Sequence, residues 1–194
     1  MKVGKSLYVS DRKSWRRWLS KHHKSAPEIW LQYYKRASGF PRIAYSDAVE
    51  EALCYGWIDS ILKPGNKNFF FQRFSPRKKN SNLSVLNKER IRRLIKSKKM
   101  TKYGLESIRH HLEFKNGDPW PSKNLKKFSI PSDILLILQS DPILWKNFKK
   151  FPASYKRIRI GWIDMARQRP AIFNQRLQYF LKMTLKNKRF GMIQ

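Results

Sequence analysis

Between Tyr45 and Pro76 the chain passes from a helical pattern, through a glycine, into two aromatic-rich runs joined by a Lys-Pro-Gly-Asn turn. That order of signals narrows the folds open to it. Ala48, Val49, Ala52 and Leu53 recur at helical spacing and form one apolar stripe. Ser46 is expected to cap this helix, with Asp47, Glu50 and Glu51 near its positive N-terminal end. Gly56 stands where a left-handed stop is wanted, a conformation glycine enters without steric cost. Residues 57–62 and 69–75 then read as an antiparallel hairpin. In a hairpin of that loop length Asp59 falls nearly opposite Arg73, and a slip of one residue would send the two to opposite faces.

Upstream, Ser10 or Asp11 can cap a helix running to about His23, with Trp15, Trp18 and Leu19 inward. Residues 29–35 are aromatic-rich and read as a strand. Downstream, Ser84 can cap a helix reaching about Ser97, and a further helix is expected from Thr101 to Phe114. Residues 116–122, rich in Gly, Asp, Pro and Ser, give the clearest linker. Beyond it the pattern is helical throughout, with Asp141-Pro142 as a cap followed by proline at a first helical position. The expected class is therefore α+β. An α+β domain over 1–116 holds a small antiparallel or mixed sheet with helices, a linker covers 117–130, and a helical C-terminal segment covers 131–194. Gly-Trp-Ile-Asp occurs at 56–59 and again at 161–164, but the second copy lies inside a helical pattern, so it does not mark a repeat.

The charge is extreme, with 43 basic against 13 acidic residues in 194. A net charge of +30 favours anionic partners such as nucleic acid, anionic lipid or acidic protein. Compositional drift is the alternative, since Lys, Asn, Ile and Phe are all plentiful. The single cysteine, Cys54, rules out an intrachain disulfide. No signal peptide and no membrane-length apolar run is read, so a cytoplasmic location is expected.

Polar residues that folding does not demand crowd the 57–87 stretch. Trp57, Asp59, Arg73, Arg77, Ser84 and Asn87 are the candidate ligand-binding set. Arginine with a carboxylate orients an anionic or polar ligand through fixed bidentate donors, and tryptophan offers a stacking face. An internal polar network pinning the hairpin to the next helix is the competing reading. Lys88, Arg92 and Lys96 follow i,i+4 spacing, with Lys99 three residues on, and suggest a basic stripe for nucleic acid, or else a solvated helix face. Zinc-finger, phosphate-loop and hydrolase motifs are absent, and the His22-His23 and His110-His111 pairs lack metal-ligand spacing. No catalytic residue, metal or cofactor is expected, and an enzyme is disfavoured. Cys54 reads as a buried thiol.

Asp47-Ala48-Val49-Glu50-Glu51-Ala52-Leu53-Cys54-Tyr55-Gly56-Trp57-Ile58-Asp59-Ser60 is followed by Arg73-Phe74-Ser75-Pro76-Arg77. Ser81, Ser84, Asn87 and Lys88 come next, then Met100-Thr101 with Gly104-Leu105. Together these resemble the YdeI/OmpD-associated, or bacteriocin-protection, family over about residues 11–188. The resemblance implies an N-terminal part related to YjbR/CyaY-like α+β folds and a helical C-terminal segment. The family usually has tryptophan where Leu83 stands. Of its basic residues near the start of the last helix, only Arg176 is matched here. The function this implies is stress or bacteriocin tolerance, and the polar residue cluster above points to an anionic or polar partner bound at a Trp57–Asn87 cleft. A sequence-nonspecific nucleic-acid-binding module is the alternative.

Overall fold

The computed structural model describes residues 2–79, 81–115, 118–121 and 129–191, and for 113–121 the backbone alone. The class is α+β: a mixed four-stranded sheet with helices, followed by a helical region. The chain divides into two compact units, one of Met1–Asn82 with Arg90–Ser122, the other of Leu83–Glu89 with Lys123–Gln194.

In the first unit, β1 (Ser6–Tyr8) leads to α1 (Arg12–His22), which Asp11 caps by accepting the Ser14 N–H at 2.8 Å. β2 (Ile29–Tyr34) precedes α2 (Tyr45–Cys54), and β3 (Trp57–Pro64) returns as β4 (Phe69–Pro76). The strand order is β1-β2-β4-β3, with β1 parallel to β2 and the other pairs antiparallel. A strand that short and polar carries little alternation of its own. Its register is set by pairing Ser6, Leu7 and Tyr8 with Trp30, Leu31 and Gln32.

α2 starts one residue before the expected cap. Ala44 precedes it in extended conformation, and no side chain caps it. Tyr45 makes the tertiary contact instead, donating its hydroxyl to Asp59. At the other end Gly56 adopts φ +77°, and a Cβ there would stand 2.8 Å from that of Ser107. α1 is fastened to α2 by charge. Glu51, 2% exposed, accepts from Arg12 Nε at 2.5 Å and Arg16 Nη1 at 2.6 Å. Arg12 also reaches Asp47 at 3.2 Å and Glu50 at 3.1 Å. The apolar layer beneath holds Trp15, Leu19, Leu53 and Phe74. Burying a side chain of leucine or phenylalanine size stabilises by about 1.5–3 kcal/mol.

α3 (Val85–Lys96) begins in the second unit and ends in the first. It closes with Lys98 at φ 55°, the Lys98 N–H on Ile95 O and the Lys99 N–H on Leu94 O, both at 2.9 Å. This is a Schellman stop with a lysine where glycine is usual. The helix expected over 101–114 is shorter. α4 (Lys102–Ser107) gives way to a 3-10 turn, and β5 (Leu112–Lys115) pairs antiparallel with β6 (Asp118–Pro121). Thus part of the segment read as linker is a strand, while residues 116, 117 and 122–128 of it lie outside the described residues.

The second unit packs α5 (Ser132–Gln139), α6 (Pro142–Lys150), α7 (Ala153–Asp164) and α8 (Pro170–Leu185) around Ile134, Leu138, Phe148, Ile163 and Phe180. Asp141 caps α6 through the Ile143 and Leu144 N–H groups, with Pro142 at its first position. Buried Asn147 donates to Thr184 O and Leu185 O, each at 3.1 Å, and so satisfies carbonyls at the end of α8.

Candidate functional site

A bulge in β3 decides where the hairpin residues go. Asp59 pairs with Phe74 and Leu62 with Gln72, so Ser60 and Ile61 together stand opposite Arg73. Buried Gln72 donates to Ile61 O at 3.3 Å, taking up a carbonyl in the bulge. Asp59 consequently shares a sheet face with Phe74, and Arg73 points from the other face beside Ser60. The opposition expected between Asp59 and Arg73 is replaced by opposite faces.

Each expected site residue has a partner of its own. Trp57 is 1% exposed, its Nε1 donates to His23 O at 3.0 Å, and its ring meets Trp18 edge-on at 5.7 Å. It is a core residue and presents no stacking face, because Gly56 turns the chain so that β3 begins on the helix-covered side. Arg73 donates to Glu28 Oε2 at 2.7 Å and Ser60 Oγ at 3.2 Å. Ser84 accepts the Asn87 N–H at 3.2 Å and caps α3, so Ser84 and Asn87 belong to the second unit. Arg77 holds Ser81 Oγ at 2.9 Å and the carbonyls of Ser81 and Asn82 at 3.2 and 3.0 Å. Its buried Nε has no partner among the described residues. Burial lowers the guanidinium's pKa, and no carboxylate offsets that. His110 and His111 each place Nε2 near Ser81 O, at 3.3 and 3.2 Å.

Asp59 sits in a polar cluster that the sequence reading missed. Tyr45 donates to it. Burial first, then the charge of Asp59, raises the Tyr45 phenol well above its ordinary value. Arg90, 4% exposed, is felt electrostatically by Tyr45 and Asp59. Beside them the Tyr33 hydroxyl is buried without a hydrogen-bond partner among the described residues. The signal was present for Arg90, which falls on the inward stripe of α3 four residues before Leu94.

The basic stripe is shorter than expected. Lys88, Arg92 and Lys96 lie on α3 at i,i+4, but Lys99 falls beyond the Schellman stop, where its carbonyl accepts Arg16 at 3.2 Å. Cys54 is fully buried, and burial pushes its thiol up to about 11, which keeps it protonated near neutrality. Among the described residues no cluster of His, Cys, Asp or Glu could hold a metal ion. None of their helices is long and apolar enough to cross a membrane.

The motif residues explain the local structure well. Thr101 caps α4, accepting the Gly104 N–H at 3.3 Å, and donates its hydroxyl to Cys54 O at 2.6 Å. These placements account for the Leu53–Gly56 and Thr101–Gly104 signatures as one joint between α2 and α4.

Residues 7–107, more than half of the chain, match the family described as Domain of unknown function (DUF8412). The chain belongs to that family. Residues 127–187 match the family described as Bacteriocin-protection, YdeI or OmpD-Associated, in agreement with the resemblance noted in the sequence. No curated protein and no solved structure matches the chain.

Proposed function

We propose that this is a non-enzymatic protein that binds an anionic partner, in the setting its C-terminal match names, bacteriocin protection or a related stress. One observation carries the reading: the described carboxylate side chains are already engaged within the protein. Asp11 and Asp141 cap helices, and Glu28 holds Arg73. Asp47, Glu50 and Glu51 hold Arg12, while Asp59 accepts from Tyr45. Glu89 meets Arg157, Glu106 meets Arg109, and Asp133 and Asp164 share Arg167. With 43 basic residues against 13 acidic, these pairs exhaust the described acids and leave the cationic excess to solvent or a partner. An acid–base enzyme using one of these carboxylates would first have to release it from its partner.

Within the first unit, Arg77 supports an anion contact best, with its unfilled Nε, the exposed Lys78 and Lys79, and the neighbouring histidines. The kinship of the N-terminal part with YjbR/CyaY-like folds belongs to the same proposal and is supported by helices layered on a small sheet. Nucleic acid is the alternative partner, favoured by the Lys88, Arg92 and Lys96 spacing. The test is heparin and oligonucleotide binding across a salt series. Affinity should fall steeply with salt as counterions are released. Lys78→Gln with Lys79→Gln should weaken it several-fold at unchanged thermal midpoint, and a deletion strain should lose bacteriocin tolerance. No affinity for any polyanion near about 0.15 M salt would reject the reading.

A further inference from the structure

The helix contacts described for the sheet, Trp15 on Phe74, Trp18 on Trp57 and Tyr45 on Asp59, all fall on one face. The register puts a different population on the other. Tyr34 lies opposite Phe69, Gln32 opposite Phe71, and Lys63 opposite Phe71 from the far side. The rings are continuous across the strands. Tyr8 meets Tyr34 edge-on at 5.2 Å, Tyr34 meets Phe69 at 5.8 Å, and Phe69 meets Phe71 at 5.2 Å. Phe40, 57% exposed, stacks on Tyr34 at 4.6 Å, and Tyr8 is 41% exposed. Tyr34, Phe69 and Phe71 are half-buried. Aromatic surface of this extent is ordinarily turned into a core, so a face that keeps it near solvent calls for an occupant.

The charge around the rings says what that occupant carries. Lys35, Arg36 and Lys67 are exposed, and Lys63 lies beside Phe71 with its ammonium 5.9 Å from the Trp30 ring. None of these four makes an ion pair with a described residue. The carboxylate of Glu28 nearby is spent on Trp30 Nε1 at 2.9 Å and on Arg73. Rings that offer π-faces between unneutralised cations match a strand of unpaired bases on a phosphate backbone. A duplex hides its base faces inside its own stack and would meet only the cations.

We propose that this sheet face binds single-stranded nucleic acid, bases stacking on Tyr34, Phe40, Phe69 and Phe71 and phosphates meeting the flanking lysines and Arg36. The proposal rests on the anionic-partner reading, names its partner class, and adds a surface separate from the Arg77 loop. The test is fluorescence anisotropy at about 0.15 M salt with single-stranded oligonucleotides, the matching duplex, and heparin as a polyanion without bases. Ribo- and deoxy-strands form separate arms, and tight binding by either supports the proposal. Single strands should bind at least about tenfold more tightly than duplex. Phe40→Ala and Phe71→Leu should each weaken single-strand binding between about fivefold and a hundredfold and leave heparin affinity unchanged. Ultraviolet cross-linking of an oligouridine strand, read by peptide mapping, gives a measure independent of variant stability, and adducts should fall within 34–40 and 69–73. Equal affinity for single strand and duplex with ring variants unaffected, or adducts confined to 88–99, would overturn the proposal and leave polyanion binding standing. Failure to bind heparin and every oligonucleotide would remove both.

Discussion

Gly104 of α4 sits against the carbonyl oxygen of Cys54 at the end of α2. A Cβ at that position would stand 2.8 Å from Leu53 O and closer still to Cys54 O. Backbone cannot move aside as a flexible side chain does, so Gly104→Ala should cost about 2 kcal/mol or more, as overpacking does. Thr101→Ala, which removes the cap and the hydrogen bond to Cys54 O, should cost about 1–2 kcal/mol. Urea denaturation of both variants checks this, and wild-type midpoints would refute the joint.

Glu51 is the buried member of the Arg12–Arg16 cluster. Glu51→Gln would leave two guanidiniums without their shared counter-charge in a protein already strongly cationic. The expected loss is about 3 kcal/mol, the lower end for broken buried pairs because both arginines are partly exposed. Added salt should recover part of that loss by screening, and a salt-independent loss would point to packing instead.

Lys98 holds a left-handed conformation, φ 55°, at the end of α3. Such backbone costs a non-glycine residue about 1–2 kcal/mol. Lys98→Gly should therefore raise stability, by about 1 kcal/mol after glycine's greater unfolded-state entropy is subtracted. Differential scanning calorimetry should show a higher midpoint, and a lower one would contradict the assignment of strain.

Hydrogen bonds from Trp30 and then Arg73 hold the Glu28 carboxyl below its ordinary value of 4.5. A carboxyl whose folded pKa is depressed stabilises the fold above its unfolded pKa, and that contribution disappears as pH falls through the folded value. Wild type should thus lose stability on acidification below about pH 4.5 more steeply than Glu28→Gln, which has no such proton to bind. Thermal midpoints of the two proteins between about pH 3 and pH 6 decide it, and parallel curves would show that Glu28 contributes no such linkage.

Much of the fold was legible because its signals are local. Asp11 and Asp141 cap, Gly56 stops α2, and the two aromatic runs after it pair as an antiparallel hairpin. What escaped was set by partners distant in sequence. β1 exists through the backbone of β2, and the start of α2 answers to Asp59 through Tyr45. Nothing in Ser60-Ile61 announces an extra residue, yet that bulge separates Asp59 from Arg73. Of the candidate site, Arg77 was visible as a cation in a basic loop. Trp57 carried the motif's strongest signal for a structural reason, and the Tyr45–Asp59–Arg90 cluster, half-buried around buried Arg90, needed the tertiary fold to assemble.

The bulge has a second effect at the rim of the sheet. β3 is an outer strand, and its exposed Ile61 and Leu62 would invite another chain to extend the ladder. An incoming strand needs an unbroken run of outward N–H and C=O groups in step. The doubled residue breaks that step, and Pro64, lacking an N–H, ends it two residues after Leu62. The irregularity that scatters the hairpin's polar side chains therefore also guards the protein against fibril-like self-association.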